Sequence, residues 1–188
     1  KDHGPVLITH WGMSGPAILR ASAWCARDLA ALNYQTTVLV NWCPGEHEAS
    51  IRARLQVFRQ QLAPQQVAGK SPLLVPQRLW EHLVDTAGIK DQRWADLPAQ
   101  FQNKLAKLIT GYELVIHGKT TFKEEFVTAG GIQLSEVEPS TMESRKIPGL
   151  YFAGEVLDVD GITGGFNFQH AWTSGWNAAM DIAHKSLH

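Results

Sequence analysis

The most constraining feature of the sequence is a string near its end that combines an apolar stretch, several glycines, several acids and a long helical segment (residues 149–179). The apolar stretch 150–153 predicts a buried strand that ends at Gly154. A glycine there lets the backbone approach a bulky group closely. Three acidic side chains follow and supply acceptors for hydroxyl groups: Glu155, Asp158 and Asp160.

A glycine pair, Gly164 and Gly165, then leads into a helix predicted over residues 164–184, which has no acid in its first turn. An uncapped helix start carries unpaired N–H groups and partial positive charge, and glycines before it let an anion or an electron-rich carbonyl come close. The order of strand, glycine, acid, glycine pair and helix is what a nucleotide or flavin cofactor needs at the end of a sheet. Composition alone leaves a second interpretation open, a crossover whose glycines only form turns.

The rest of the chain alternates β and α character, which predicts an α/β fold. A short strand, a tight turn and one helix over residues 17–32 open the chain. Three helices, which would form a small bundle, are predicted within residues 46–110. Further strands are expected at residues 6–9, 36–40, 112–117, 126–129 and 132–137. The chain starts in a loop without an initiator Met, so we expect it to begin within a longer protein.

Composition argues against several classes of partner. The net charge is −1 with acids and bases mixed, so neither nucleic acid nor an anionic membrane is expected to bind. There is no signal-peptide layout and no apolar run near the length of a membrane span, which favours the cytoplasm. No metal site is expected, because Cys25 and Cys43 fit no metal pattern and His47–Glu48 lacks the second histidine of a zinc protease motif.

Four segments, in order, resemble one family. The string 149–179 resembles the carboxy-terminal motif of the YhiN-like (BaiN-type) bacterial flavoproteins, which are NAD(P)/FAD-dependent oxidoreductases. Residues 7–17 resemble that family's FTHxGxSGPAxL segment, residues 126–131 its VTAGGV segment and residues 141–144 its TMES segment. The helical middle is similar only in general character.

The resemblance implies the end of a Rossmann-like FAD-binding domain and an inserted domain of a small β-barrel and a helical bundle. The inserted domain would cover residues 1–120, with its β-rich part at 1–45 and 112–120 and its bundle at 46–110. Residues 121–188 would be the carboxy-terminal part of the FAD-binding domain.

The resemblance also implies a flavin site. Gly154, Glu155 and Asp158 would lie beside the ribityl chain or the pyrophosphate of FAD. The start of the last helix would meet the isoalloxazine ring, and a third segment would lie near the ring and the substrate. The residues implied for these two parts are Gly164, Gly165, Phe166, Asn167, Phe168 and Gln169, and then Thr128, Gly130 and Gly131.

The implied activity is hydride transfer between FAD and a small organic substrate, with NAD(P)H as the expected partner. The GxGxxG fingerprint of an FAD-binding domain is absent. FAD would therefore be shared with a missing amino-terminal part of the same protein, and the 188 residues alone would be inactive. No protein nucleophile or general base is required, and no catalytic residue is assigned.

Two other functions stay open at this point. The chain could be a non-catalytic binding module, or a serine hydrolase that uses Ser14. The second has less support, because the turn around Ser14 reads Gly-Met-Ser-Gly-Pro and not the Gly-x-Ser-x-Gly of a nucleophile elbow. Trp172 and Trp176, four residues apart on the last helix, are expected to pack in the core or in an interface.

Overall fold

The computed structural model describes residues 1–119, 127–162 and 164–187. The chain divides into two compact units. Unit 1 comprises Lys1–Tyr34 and Gly118–His188, and unit 2 comprises Gln35–His117. The elements are β1 (Leu7–Thr9), β2 (Gly12–Ser14), α1 (Pro16–Trp24), α2 (Ala26–Ala31), β3 (Thr36–Val40), α3 (Glu48–Gln61), α4 (Gln77–Ala87), α5 (Ala99–Thr110), β4 (Tyr112–Ile116) and α6 (Phe166–Ser186), with short 3-10 turns at Leu134–Glu136 and Gly154–Val156.

Unit 2 has a hydrophobic core to which its three helices and the segments between them contribute, and the helices lie where the sequence predicts them. Helix α4 lies between Pro76 and Gly88, and α5 lies between Pro98 and Gly111. Proline favours a helix start, and glycine readily adopts the left-handed conformation that ends a helix, as Gly88 does. The core side chains include Ile51, Leu55, Trp80, Leu83, Trp94, Leu105 and Ile109.

Strands β3 and β4 form an antiparallel pair in unit 2, with Thr36 opposite Ile116 and Val40 opposite Tyr112. Both strands were predicted. At the start of α3, the His47 ring accepts a hydrogen bond from the Ser50 backbone N–H at 3.0 Å and the Ser50 hydroxyl accepts one from the His47 N–H. His47 therefore caps a helix.

Unit 1 departs from the predicted elements near the amino terminus. Residues 12–14, predicted as a turn, form β2 and pair with β1, with Leu7 opposite Ser14 and Thr9 opposite Gly12. The helix predicted over residues 17–32 is interrupted at Cys25, whose backbone leaves helical geometry and separates α1 from α2. The long helix predicted over residues 164–184 is confirmed as α6.

The other strands predicted in unit 1 are wrong for this chain. Residues 150–153 contribute only an isolated bridge between Glu143 and Tyr151, and residues 132–137 contain a 3-10 turn. Val127, Thr128 and Ala129 form no strand, and Phe126 lies outside the described residues. Strands need neighbours with which to share hydrogen bonds, and the described residues provide only two sheets of two strands each. A small barrel is therefore not seen within those ranges.

The compact units are also divided differently from the predicted domains. Lys1–Tyr34 groups with Gly118–His188, whereas the resemblance assigns residues 1–120 to an inserted domain. Which residues form that inserted domain stays a prediction. None of the described helices is both long and apolar enough to cross a membrane.

Candidate functional site

Two of the predicted segments meet where the Gly130–Gly131 turn runs beside the residues after Gly154. The Ile132 N–H donates to the Val156 carbonyl at 2.9 Å, and the Asp158 N–H donates to the Ile132 carbonyl at 2.9 Å. Gly131 has φ of +142°, and a Cβ atom there would lie 2.6 Å from the Val156 carbonyl oxygen. Only glycine fits a contact this close between two backbone segments.

Gly154 joins this cluster to α6. Its φ is +75° and its N–H donates to the Ser174 hydroxyl at 2.9 Å. That hydroxyl in turn donates to the His170 carbonyl at 2.7 Å, one turn earlier in the helix. A Cβ at Gly154 would lie 3.8 Å from the Ala171 methyl. The sequence predicts a close backbone approach at Gly154, and the structure shows that Gly154 approaches α6.

The start of α6 has no side-chain cap. Gly165 occupies the N-cap position without a capping hydrogen bond, and the first turn holds no acidic residue. A Cβ at Gly165 would meet nothing within 4 Å. The first-turn N–H groups of a helix with no cap retain hydrogen-bonding capacity and partial positive charge. The structure confirms that this helix start has no side-chain cap and no acid in its first turn. Its use as a cofactor site stays a prediction.

Asn167 fixes the preceding loop to that helix start. The Gly161 N–H donates to Asn167 Oδ1 at 2.8 Å, and Asn167 Nδ2 donates to the Gly161 carbonyl at 3.0 Å. The family resemblance implies that the Asn167 side chain contacts the flavin. In the structure the side-chain amide of Asn167 is hydrogen-bonded to the Gly161 backbone, because the loop brings Gly161 next to the helix start. A contact between Asn167 and a cofactor stays a prediction.

The acidic residues of the loop have different partners. Asp158 is hydrogen-bonded to the guanidinium of Arg27, which also lies 3.6 Å from Asp160. Glu155 is exposed, and no hydrogen bond or ion pair of its carboxylate is recorded with any described residue. Glu155 can therefore accept hydrogen bonds from a ligand, whereas Asp158 would first have to share or leave Arg27.

The remaining predicted residues lie at the surface of the same region. Gln169 Nε2 donates to the Thr173 hydroxyl at 3.0 Å, and Phe168 stacks on Trp172 with ring centroids 6.2 Å apart. Phe166 and Thr128 are exposed, and a Cβ at Gly130 would meet nothing within 4 Å.

Reasoning from the sequence missed two residues that position the site. Arg27 lies on α2, 131 residues before Asp158, and no local pattern connects them. Ser174 is buried in α6 and holds Gly154. A serine among the small residues of a helix face is a weak signal, which becomes informative only once its backbone partner is known.

Behind the loop lies an apolar pocket of about 230 Å³, lined by side chains that include Leu134, Val137, Met142 and Leu157. His170 also lines it, and its Nε2 atom is buried with no hydrogen-bond partner among the described residues.

The other candidate chemistries gain no geometric support. Ser14 lies in β2, and the structure records no hydrogen bond between its hydroxyl and a described histidine. In the part of the chain that the structure describes, no three His, Cys, Asp or Glu side chains are grouped so as to hold a metal ion. Burial raises the pKa of the Cys43 thiol, which disfavours the reactive thiolate form.

The fold and the site together define a class of protein. It is a mixed α/β chain in which the turns at Gly131 and Gly154 lie beside a long helix with an open start. The family model described as "HI0933-like protein Rossmann domain" matches residues 33–181. The chain therefore belongs to this family, that of the YhiN/BaiN-type flavoproteins, and contains part of a Rossmann-like domain.

Three curated relatives show similar sequences over nearly the whole chain. The ribosomal RNA dihydrouridine synthase of Escherichia coli (strain K12) is 34% identical over 96% of the chain and 43% of its own length. The protein of the same name from Haemophilus influenzae is 30% identical, over 97% and 43%. The 3-dehydro-bile acid delta(4,6)-reductase of Clostridium scindens is 32% identical, over 98% and 45%. The chain thus spans less than half the length of the relatives it matches.

Proposed function

We propose that the chain is part of a flavin-dependent oxidoreductase that reduces a carbon–carbon double bond conjugated to a carbonyl group. It shares one FAD with the remainder of the protein, and NAD(P)H is the source of the two electrons. The observation that carries the proposal is the open start of α6 after Gly164 and Gly165, with no side-chain cap and no acid in its first turn. Residues 1–120 would form the inserted barrel and bundle, and the missing amino-terminal part would complete the FAD-binding domain.

The residues of the site fit a flavin. A planar, electron-rich ring needs backbone without side chains in its way, and Gly130 and Gly165 are both open to at least 4 Å. The sugar-alcohol chain of FAD needs acceptors for its hydroxyl groups, and the exposed carboxylate of Glu155 has no recorded partner among the described residues. The GxGxxG fingerprint places the FAD pyrophosphate at the start of a helix. Because the chain lacks this fingerprint, another part of the protein would have to bind the pyrophosphate.

When bound, the flavin supplies the hydride chemistry. The protein's contribution is electrostatic and positional. The N–H groups that open α6 stabilise negative charge on an adjacent ring. Asn167 holds Gly161 against that helix start, and Arg27 holds Asp158. These contacts fix both ends of the loop from Asp158 to Gly161. Glu155 accepts hydrogen bonds from hydroxyl groups of the cofactor.

The names of the relatives support the substrate class. Dihydrouridine is uridine with its C5–C6 double bond reduced, and that bond is conjugated to a carbonyl. A delta(4,6)-reductase of a 3-dehydro bile acid likewise acts on double bonds conjugated to the 3-oxo group. In both reactions a hydride and a proton add across the double bond. We keep a small unsaturated carbonyl compound as the substrate, because a net charge of −1 provides little of the basic surface that RNA binding needs. Ribosomal RNA is the alternative.

The cofactor is tested first, by absorbance of the purified full-length protein and chromatographic identification of the released cofactor. FAD is expected. Glu155→Ala is expected to weaken FAD binding about tenfold, since it removes a charged hydrogen-bond acceptor. Glu113→Ala, which changes an exposed glutamate on β4, is the matched control. Wild-type FAD affinity in Glu155→Ala would show that the motif is misplaced. A colourless protein that rejects added FAD would favour the binding module, and labelling of Ser14 by a fluorophosphonate would favour the hydrolase.

The substrate is tested next, by NAD(P)H oxidation with the FAD-loaded full-length protein. A small cyclic enone is expected to stimulate NAD(P)H oxidation, and a saturated ketone of the same ring size is the control. If only ribosomal RNA is reduced, the expectation that nucleic acid does not bind is wrong, and the substrate follows the two relatives named for it.

A further inference from the structure

Among the residues that the structure describes, one polar side chain lines the apolar pocket beside α6, and the proposed function does not use it. The pocket has a volume of about 230 Å³ and lies within unit 1. The polar side chain is that of His170, whose Nε2 atom is buried without a hydrogen-bond partner in this part of the chain. The other side chains that line the pocket are apolar: Leu134, Val137, Pro139, Met142, Leu157 and Val159.

The unpartnered Nε2 atom of His170 is unfavourable in the structure, whether it carries a proton or a lone pair. Burying a polar group costs free energy unless a hydrogen bond replaces its contacts with water. Most buried polar groups in folded proteins are paired, and an unpaired one needs a specific explanation. A ligand with a hydrogen-bonding group would supply the partner, because His170 lines the space that the ligand would occupy.

The walls of the pocket are held by backbone contacts, so its shape is defined. Leu157 and Val137 are 1% and 2% exposed, and each forms a backbone bridge with a neighbouring segment. Met142 has a φ of +63°, which a residue other than glycine keeps only where its surroundings fix it. The Met142 N–H donates to the Glu138 carbonyl at 2.7 Å, and the Met142 carbonyl accepts from the Phe152 N–H at 3.0 Å. A largely preformed pocket of this kind is typical of small-molecule sites.

The backbone of His170 is tied to the candidate site. The His170 carbonyl accepts a hydrogen bond from the Ser174 hydroxyl at 2.7 Å, and that hydroxyl accepts one from the Gly154 N–H at 2.9 Å. His170 also lies five residues after Gly165, about 7 to 8 Å along the helix axis. The pocket therefore adjoins the part of α6 that is proposed to meet the flavin.

The size and lining of the pocket define the class of ligand. Pockets for drug-sized molecules have volumes of about 300–1,000 Å³, so a pocket of about 230 Å³ suits a ligand with a single ring. Apolar walls favour a hydrocarbon ring, and one polar side chain favours one hydrogen-bonding group on that ring. We propose that the pocket binds a cyclic α,β-unsaturated ketone with one ring, whose carbonyl oxygen accepts a hydrogen bond from His170 Nε2. The choice of a conjugated ketone rests on the proposed function, whereas the pocket and the hydrogen bond do not.

A donor at the carbonyl oxygen would also favour the proposed reduction. The carbonyl group draws electron density from the conjugated double bond, and a hydrogen bond to the oxygen increases this polarisation. His170 would thus contact the substrate at the atom on which negative charge develops, where a positioned donor is most effective.

A titration of the full-length protein, followed by NMR of the ligand, tests the site with two probes of the same shape. Cyclohexenone has the carbonyl acceptor, and in the second probe a methylene group replaces the oxygen. His170→Phe is expected to weaken binding of cyclohexenone about tenfold, because one hydrogen bond is lost, and to leave the affinity for the hydrocarbon unchanged. His170→Gln keeps a donor and should retain most of the affinity for cyclohexenone. His184→Phe changes an exposed histidine on the same helix and is the matched control.

The nitrogen chemical shift of His170 Nε2 gives a second readout that needs no variant of His170 to fold. In wild-type protein labelled with ¹⁵N-histidine, cyclohexenone is expected to shift this resonance, because Nε2 gains a hydrogen-bond partner. The hydrocarbon probe is expected to shift it less, and neither probe should shift the His184 resonances.

Three results would overturn the proposal: neither probe binds, His170→Phe weakens both probes equally, or cyclohexenone leaves the Nε2 shift unchanged. The first result would show that the rest of the polypeptide fills the pocket. Failure of this site can be distinguished from failure of the proposed function. Ketone binding that depends on His170 in a protein that rejects FAD would refute only the flavin proposal. An FAD-loaded enone reductase with wild-type ketone affinity in His170→Phe would refute only the role of His170.

Discussion

The sharpest single perturbation of the candidate site is Gly131→Ala. The added Cβ would lie 2.6 Å from the Val156 carbonyl oxygen and 2.8 and 2.9 Å from the carbonyl carbon and oxygen of Leu157. All three atoms belong to backbone, so no side chain can rotate away and the two segments must separate. Gly130→Ala is a matched control, because Gly130 also has positive φ, +110°, and a Cβ there would meet nothing within 4 Å.

The two variants share one cost and differ in the other. Placing alanine at these φ values costs about 1–3 kcal/mol in either variant. Forcing atoms into occupied space adds about 1–3 kcal/mol in Gly131→Ala alone. The added cost corresponds to roughly 5- to 150-fold more frequent local opening.

Hydrogen exchange measured at single amides is the appropriate assay, because the Ile132 and Asp158 N–H groups make the two hydrogen bonds that join these segments. Both amides are expected to exchange faster in Gly131→Ala than in Gly130→Ala, while amides of the unit 2 core keep their wild-type rates. If the two variants exchange equally fast at Ile132 and Asp158, the close approach does not decide the structure here, and the reasoning is refuted.

Three further predictions concern other parts of the chain. Asn167→Ala removes both bonds to Gly161 and is expected to cost about 1–3 kcal/mol, seen as faster exchange of the Gly161 amide; an unchanged rate would contradict it. The hydrogen bond from Lys185, and to a lesser extent the one from Tyr151, lowers the pKa of Asp181 below its ordinary 3.8. The Asp181–Lys185 pair therefore stabilises the fold above that pH, and this contribution is lost as the pH falls through the lowered pKa. The melting temperature of wild type should therefore fall more steeply below about pH 4 than that of Asp181→Asn, and parallel curves would argue against the pair. Trp80→Phe deletes a buried indole N–H that donates a hydrogen bond at 2.8 Å and should cost about 1–3 kcal/mol in urea unfolding; a loss below about 0.5 kcal/mol would be too small for that bond.

The helices of unit 2 could be predicted from the sequence because their signals are local. Proline and glycine frame α4 and α5, and the apolar residues between them recur at helical spacing. The open start of α6 could be predicted for the same reason, because it depends only on the absence of capping and acidic residues from the first turn. Features that depend on distant residues were not readable. Arg27 pairs with Asp158 across 131 residues, and Asn167 bonds to a loop whose path the sequence does not specify.

Apart from β1, the strands predicted in unit 1 failed for a different physical reason. Residues 150–153 have the apolar pattern of a buried strand, yet only Tyr151 forms a bridge, and Leu150 remains exposed. A strand pattern records the environment in which a segment is used, and the hydrogen bonds that make it a strand come from its neighbours. The same mismatch appears on α6, where Phe168, Trp172 and Trp176 are side chains typical of a buried helix but are exposed. Both observations have one explanation if the sheet of the Rossmann-like domain lies beside them in the full-length protein. In that case restoring the remainder of the polypeptide should convert residues 150–153 into a strand and cover α6 in one step, because the same sheet would provide the hydrogen bonds and the apolar layer.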